Sequence, residues 1–418
     1  MRRRLITNSQ RCHLSASSDF FMADIPNRSD DYNPLVKEIF GSAHETYEQL
    51  RSRCPVAHSE AYGGFWALTK YADVQRVLSD SATFITSVQN VVPKVAFSGR
   101  RPPLHFDPPE HTPYRAALNP LLSDEKVRAL GPEIRACIHK ELLGLLARGQ
   151  GDICNEFASQ FQVKVFSLWM NLPADLEAQL SQAGPAFINA VRSAEAGQMK
   201  ETSFVLYDMA RTLVAMRKAH PMDPDVDPVS SFLAATSEGK PLPEDMIVGA
   251  IRQVLVVGIV APMIMMGNMG IHLARDKQLQ RYLRTHPEKI PAAIEEFLRL
   301  YTPYRGFART ATKDVEFGGR TILKDEAIAM IISSANRDEE VFDCPAEFQI
   351  DRQNIKDHLA FGRGPHYCAG AHLARYELQI ALEELLKHTT DFDVVGEITM
   401  SPFPELGPSC VPIRFQVA

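Results

Sequence analysis

The chain has 418 residues, 45% of them hydrophobic and 23% charged, a balance that suits a globular protein with a large buried core and excludes a disordered or low-complexity polymer. Its formal net charge of −6 argues against nucleic acid or an anionic membrane surface as the main partner. The seven cysteines, at 12, 54, 137, 154, 344, 368 and 410, are scattered, odd in number and never in C-x-x-C spacing, which argues against a disulfide framework or a zinc site and for a reducing compartment.

The first stretch, Met1 to Ser18, carries Arg2, Arg3, Arg4 and Arg11, several serines and no acid before Asp19. It reads as a disordered tail, with Met22 as the alternative start, or as an Arg- and Ser-rich mitochondrial transit peptide. Residues 1–34 are assigned to this tail and 35–418 to a single domain, because no linker or repeat divides the rest. Helical periodicity dominates from about residue 111 to 301, as in Glu133–Leu146, Glu156–Met170, Glu244–Ala274 and Ile290–Leu300. The most apolar run, Val254 to Met266, is too short for a bilayer and suits a buried helix. Strand-like stretches are Phe65–Leu68, Val315–Phe317 with a Gly318-Gly319 turn, Ala327–Ile332 and Val411–Val417. The expected fold class is mainly α with small β-sheets.

Four segments carry chemistry. In Asp107-Pro108-Pro109-Glu110-His111-Thr112-Pro113-Tyr114-Arg115, the acidic start is expected to cap a helix that puts His111 and Arg115 on one face. Glu296-Phe297-Leu298-Arg299 sets an acid and a base three apart on a helix, and Asn336-Arg337-Asp338 and Arg352 follow. Arg309-Thr310-Ala311 lies on a short strand. Phe361-Gly362-Arg363-Gly364-Pro365-His366-Tyr367-Cys368-Ala369-Gly370 presents one cysteine on a glycine-rich loop before a helical stretch, Ala371 to Lys387. There the helix N-terminus is expected to lower the thiol pKa, with Gly364 and Gly370 making the tight turns.

The pattern FxxGxHxCxG resembles the haem-ligand loop of cytochromes P-450, and the resemblance extends over nearly everything after about residue 35. It implies the cytochrome P-450 fold, a helix-rich core with small sheets, and haem b as cofactor. It implies that Cys368 is the axial thiolate of haem iron, beside Phe361 and Gly370. His111, Arg115, Arg309 and His366 would hold the haem propionates. Glu296, Arg299 and Arg352 would form a buried structural network. A substrate pocket would draw on Tyr304, Arg305 and Phe307, the segment Phe84 to Leu104 with Gln89, Asn90 and Ser98, the middle helices from about Ala186 to Met209, and the turn Leu406 to Val411.

The distal helix departs from the family pattern. Gly258 is kept, but the acid and alcohol positions hold Val260 and Ala261, which cannot relay a proton, and Pro262 follows. Pro262 leaves the Gly258 carbonyl without a donor and is expected to kink the helix. The resemblance implies a monooxygenase inserting one oxygen atom of O2 into a small to medium, mostly apolar substrate. Electrons would come from NAD(P)H through a ferredoxin- or flavodoxin-type donor and its reductase. The Val260-Ala261 pair supports as alternatives a peroxygenase, a dehydratase or isomerase, and a haem sensor stands as a third. No nucleic acid partner and no membrane span are expected, and the location is cytoplasmic, or mitochondrial if residues 1–21 are a transit peptide.

Overall fold

Apolar side chains at helical spacing through the middle of the chain give, in the computed structural model, a body of helices flanked by short sheets. It describes residues 29–94, 99–193 and 195–418. Ile290–Leu300 forms over the expected span, Gly131–Leu146 begins two residues early, and Ala371–His388 ends one residue late. Glu156–Met170 is not one helix. A wide π-helical turn over Ile153–Ala158 precedes the α-helix Ser159–Trp169. These helices and the long apolar stretch from Glu244 to Arg275 build the largest hydrophobic core, centred on residues such as Phe157, Leu255, Met266 and Phe297.

That stretch passes, by length and composition, as a membrane span, yet 78% of its apolar window is buried inside the protein. It is apolar on all sides because protein surrounds it. It is also two helices, Glu244–Val257 and Val260–Arg275. The break falls at Gly258-Ile259, one turn before Pro262. Pro262 thus lies in the first turn of the second helix, where a missing N–H leaves no intrahelical bond unmade. A Cβ on residue 258 would lie 1.9 Å from the Phe166 ring, so only glycine lets the two helices meet there.

The main sheet runs in the order Val56–Ser59, Phe65–Leu68, Ala327–Met330, Ala308–Ala311, Phe84–Ile85. All its neighbours are antiparallel except Ala327–Met330 with Phe65–Leu68, in register Ile328 to Trp66. This sheet places Arg309 beside the cysteine loop. A second sheet joins Thr389–Val394 and Pro412–Val417 to Gln150–Asp152.

Of the expected tail, residues 1–28 lie outside the described residues. Residues 29–34 do not behave as a tail. The Asp31 carboxylate accepts from the His58 N–H at 3.0 Å and pairs with Arg320 at 2.5 Å. Tyr32 is buried with its hydroxyl 3.1 Å from that of Tyr47. The apolar signal of Tyr32 is a single residue among polar neighbours, too sparse for periodicity to register.

Candidate active site

The cysteine loop is shaped by glycines, but not the expected pair. Gly362 and Gly364 take φ of 73° and 70°, and a Cβ on Gly364 would come within 2.6 Å of the Leu78 carbonyl oxygen. Gly370 has an ordinary φ of −84°, and a Cβ there would meet nothing within 4 Å. The Cys368 N–H donates to the Phe361 carbonyl at 2.9 Å, closing the loop. The thiol faces the protein's large cavity at the start of helix Ala371–His388. Its pKa is raised, contrary to the sequence expectation. Burial pushes it up and outweighs the Gly370 N–H bond and the cations Arg115 and Arg375 that pull it down. A metal cation held by this thiol would override that balance, because coordination favours the thiolate.

Three of the four expected cations reach the cavity wall: Arg115, Arg309 and His366. Arg115 donates to the Tyr367 carbonyl at 2.6 Å. Arg309 is buried, donates to the carbonyl of Ala308 at 2.8 Å, and is pushed down to about 10 by burial, with the Asp107 charge as its counterweight. His111 is displaced from the wall. Its ring faces the Pro365 carbonyl at 3.2 Å and packs 4.9 Å from the His366 ring, so it supports the loop from behind. Asp107 does not cap helix Thr112–Leu118, whose first residue has no side-chain cap. Its carboxylate instead accepts from the N–H groups of Thr86 at 2.8 Å and Ser87 at 3.0 Å and faces His366 at 3.5 Å. Burial pushes Asp107 up, but His366 and those N–H bonds prevail and hold it well below the carboxylate range.

Glu296, Arg299 and Arg352 meet in a fully buried cluster. Arg299 donates to both Glu296 oxygens at 2.7 and 2.8 Å, Arg352 Nε lies 3.1 Å from the same carboxylate, and the Gln349 N–H adds a bond at 3.0 Å. Arg299 also reaches the carbonyls of Asn336, Pro345 and Glu347, so every member is paired.

The cavity encloses about 700 Å³. Gly258, Val260, Ala261 and Pro262, at the helix break, share it with Cys368 and Phe361. Tyr304 and Phe307 line it, their rings 4.7 Å apart, and Asn90 does so while Gln89 does not. Ser98 lies outside the described residues. Arg305 is not on the wall. Tyr304 pairs with Glu405 as an extended bridge, and successive side chains of extended backbone point to opposite sides. Arg305 therefore turns away into the protein, between the rings of Phe40 at 5.6 Å and Phe403 at 5.8 Å. The middle helices supply Phe187, Ile188, Val191 and Met199, but the C-terminal turn contributes Pro404 and Glu405 rather than Leu406 to Val411.

Sequence reasoning did not single out Arg101, Arg252, Glu377 and Glu405 on this wall, nor the exposed Lys94. A signal existed for Arg252, a cation inside the apolar run Ile247 to Val257. Glu377, on the helix after the cysteine, is pushed up to about 8 by burial. Glu405 is neutralised by Arg192 at 2.7 Å.

These residues fit a flat macrocycle carrying two carboxylates. A thiol faces the cavity, the space at Gly370 is open to close approach, and a buried Arg309 stands with Arg115 and His366 to meet an anion. Comparison with known proteins agrees. The Cytochrome P450 family model matches residues 271–395. The chain is similar to "Probable cytochrome P450 127A1" of Sinorhizobium fredii, 33% identical over 340 residues, covering 79% of this chain and 78% of that one. It is similar to the cyclomarin C epoxidase of Salinispora arenicola, 30% identical over 370 residues, covering 85% and 91%. Its fold is similar to cytochrome P450 CYP109Q5 from Chondromyces apiculatus, with a TM-score of 0.84 and 26% identity, covering 93% and 99%. Loop, cavity, buried network and relatives converge: the chain belongs to the cytochrome P450 family.

Proposed function

We propose that Cys368 is the axial iron ligand of a monooxygenase acting on a small to medium organic substrate with a largely apolar body. The family's cofactor is haem b and its enzymes are monooxygenases. Bound haem would supply the activation of dioxygen and the insertion of one of its atoms into a C–H bond, the other leaving as water with two electrons from the donor and two protons. Arg115, Arg309 and His366 hold the propionates, with His111 bracing the loop that carries His366 and Cys368. Glu296, Arg299 and Arg352 hold the segment Pro345 to Glu347 against the helix before it. Tyr304 and Phe307 are apolar walls for the substrate. Residues 35–418, extended back to Ser29, act as one haem domain in the cytoplasm. Electrons arrive from NAD(P)H through a separate ferredoxin- or flavodoxin-type donor.

The observation that carries this reading is a cavity bounded at once by a loop cysteine and by the break in the central helix. Reduced holoprotein treated with carbon monoxide is expected to show the red-shifted band of thiolate ligation, and Cys368→Ala to lose it. Retention of the band by the variant would refute the assignment.

Val260 and Ala261 favour a second reading, oxidation driven by peroxide, because neither offers a proton-relaying side chain. Turnover with NADH and redox partners, set against turnover with peroxide alone, separates the two. Faster turnover with peroxide would favour the second.

A further inference from the structure

Two arginines on the cavity wall are buried without a counter-ion among the described residues. Arg252, on helix Glu244–Val257, is 1% exposed and Arg101 is 8% exposed. They converge because the loop before Arg101 lies directly on that helix. A Cβ on Gly249 would come within 2.1 Å of the Arg100 carbonyl oxygen and 3.6 Å of the Arg101 Cα. Arg252 follows three residues later on the same face. Its Nη2 donates to Ser203 Oγ at 2.8 Å, and its guanidinium stacks 4.4 Å from the Phe187 ring. The Nε atoms of both arginines make no hydrogen bond. Neither side chain forms an ion pair among the described residues, and of the cavity's acids Glu405 is bound by Arg192 while Glu377 does not act on either guanidinium.

The electrostatics agree. Burial and then Arg101 push Arg252 down to about 9. Burial, followed by Arg101, Arg252 and Arg100, drives the nearby His105 down to about 3. Burial is the larger cause of both shifts, and the neighbouring arginines add to it in the same direction. A neutral ligand would leave two buried charges uncompensated. A carboxylate would satisfy both, since its two oxygens match the fork of a guanidinium.

We propose that Arg101 and Arg252 are the substrate's anion clamp, and that the substrate is a carboxylic acid with an apolar body. This rests on the reading of the cavity as a haem-bearing substrate site. The six residues from Arg252 to the break at Gly258 set the clamp about 9 Å along helix Glu244–Val257 from the start of the distal positions. The carbon oxidised is therefore remote from the carboxylate.

The test uses tag-free holoenzyme and matched pairs of acid and methyl ester: dodecanoic, citronellic and phenylbutanoic. Each is titrated by the shift in haem spin state. At least one acid is expected to bind tenfold or more tightly than its ester. Arg101→Gln and Arg252→Gln are each expected to erase that preference while leaving ester affinity nearly unchanged. Equal binding of acid and ester in all three wild-type pairs would overturn the proposal, and that comparison needs no variant to fold. A preference that survives in both variants would overturn it as well. The carbon monoxide band of the same preparations keeps the two readings apart. A thiolate-type band without acid preference removes only the carboxylate clamp, whereas its absence removes the haem–Cys368 assignment beneath it.

Discussion

The basic residues around the cavity are anchored differently, and the anchoring orders their expected effects. Arg309 is buried and desolvated, so an anion bound there gains most. Arg115 is only half-buried, although each arginine spends one N–H on a carbonyl, and His111 acts through the Pro365 carbonyl behind the wall. Loss of a charge-assisted bond costs about 1.5–3 kcal/mol, so Arg309→Ala should speed haem transfer to excess apomyoglobin by about tenfold or more. Arg115→Ala should follow and His111→Ala should do least; equal rates in all three would contradict the ordering. The sequence pattern announced Cys368 and the histidine and arginines near it because glycine and proline spacing fixes that loop locally. It misjudged Arg305, whose side depends on a bridge to Glu405, a hundred residues away, and it passed over Arg101 and Arg252, which meet only through Gly249.

At the scale of elements, the helix break was foreshadowed by Pro262, but its position one turn earlier was not, since it depends on contact between Gly258 and Phe166. The break replaces α-helical bonds by a tighter one, from the Ile259 N–H to the Val256 carbonyl at 3.3 Å, so neighbouring backbone groups up to Ala261 lose regular helical partners beside the cavity. These groups, with water or substrate oxygens, can move protons where Val260 and Ala261 cannot. Ala261→Thr is therefore expected to leave peroxide released per NADH consumed nearly unchanged, or to slow turnover by crowding. A large fall in that ratio, measured with a true substrate, would mean that no backbone relay operates. The ends of Ile290–Leu300 and Phe65–Leu68 were legible because their apolar spacing agrees with their burial; the π-helical turn at Ile153–Ala158 has no comparable local signature.

Across the whole molecule, Glu295 ties three separated regions together. Its carboxylate pairs with Arg375 Nε at 2.6 Å, on the helix after the cysteine, and with His358 Nε2 at 2.9 Å. Burial pushes Glu295 up, but the bonds from His358 and Arg375 prevail and bring it down to about 2. Because the folded value lies below the unfolded one, its stabilisation is present above pH 4.5 and is lost as pH falls toward 2. Near neutrality this is worth about 3 kcal/mol. Glu295→Gln should lower Tm at pH 7 and flatten its decline between pH 5 and 3; parallel Tm curves for both proteins would refute this. Such ties between distant segments, like the packing of Tyr32 on Tyr47, were invisible to periodicity, which reports one element at a time. The fold class was legible because helical patterns fill the middle of the chain.

The contact between Gly258 and Phe166 also constrains the order in which this protein can change. The ring occupies the volume that any side chain at position 258 would need. A lineage or a mutant library seeking any side chain at position 258 must first shrink position 166. Taken in the other order, the intermediate is barred by collision, so the two sites form a one-way ratchet whose first step lies on a different helix from the trait it unlocks.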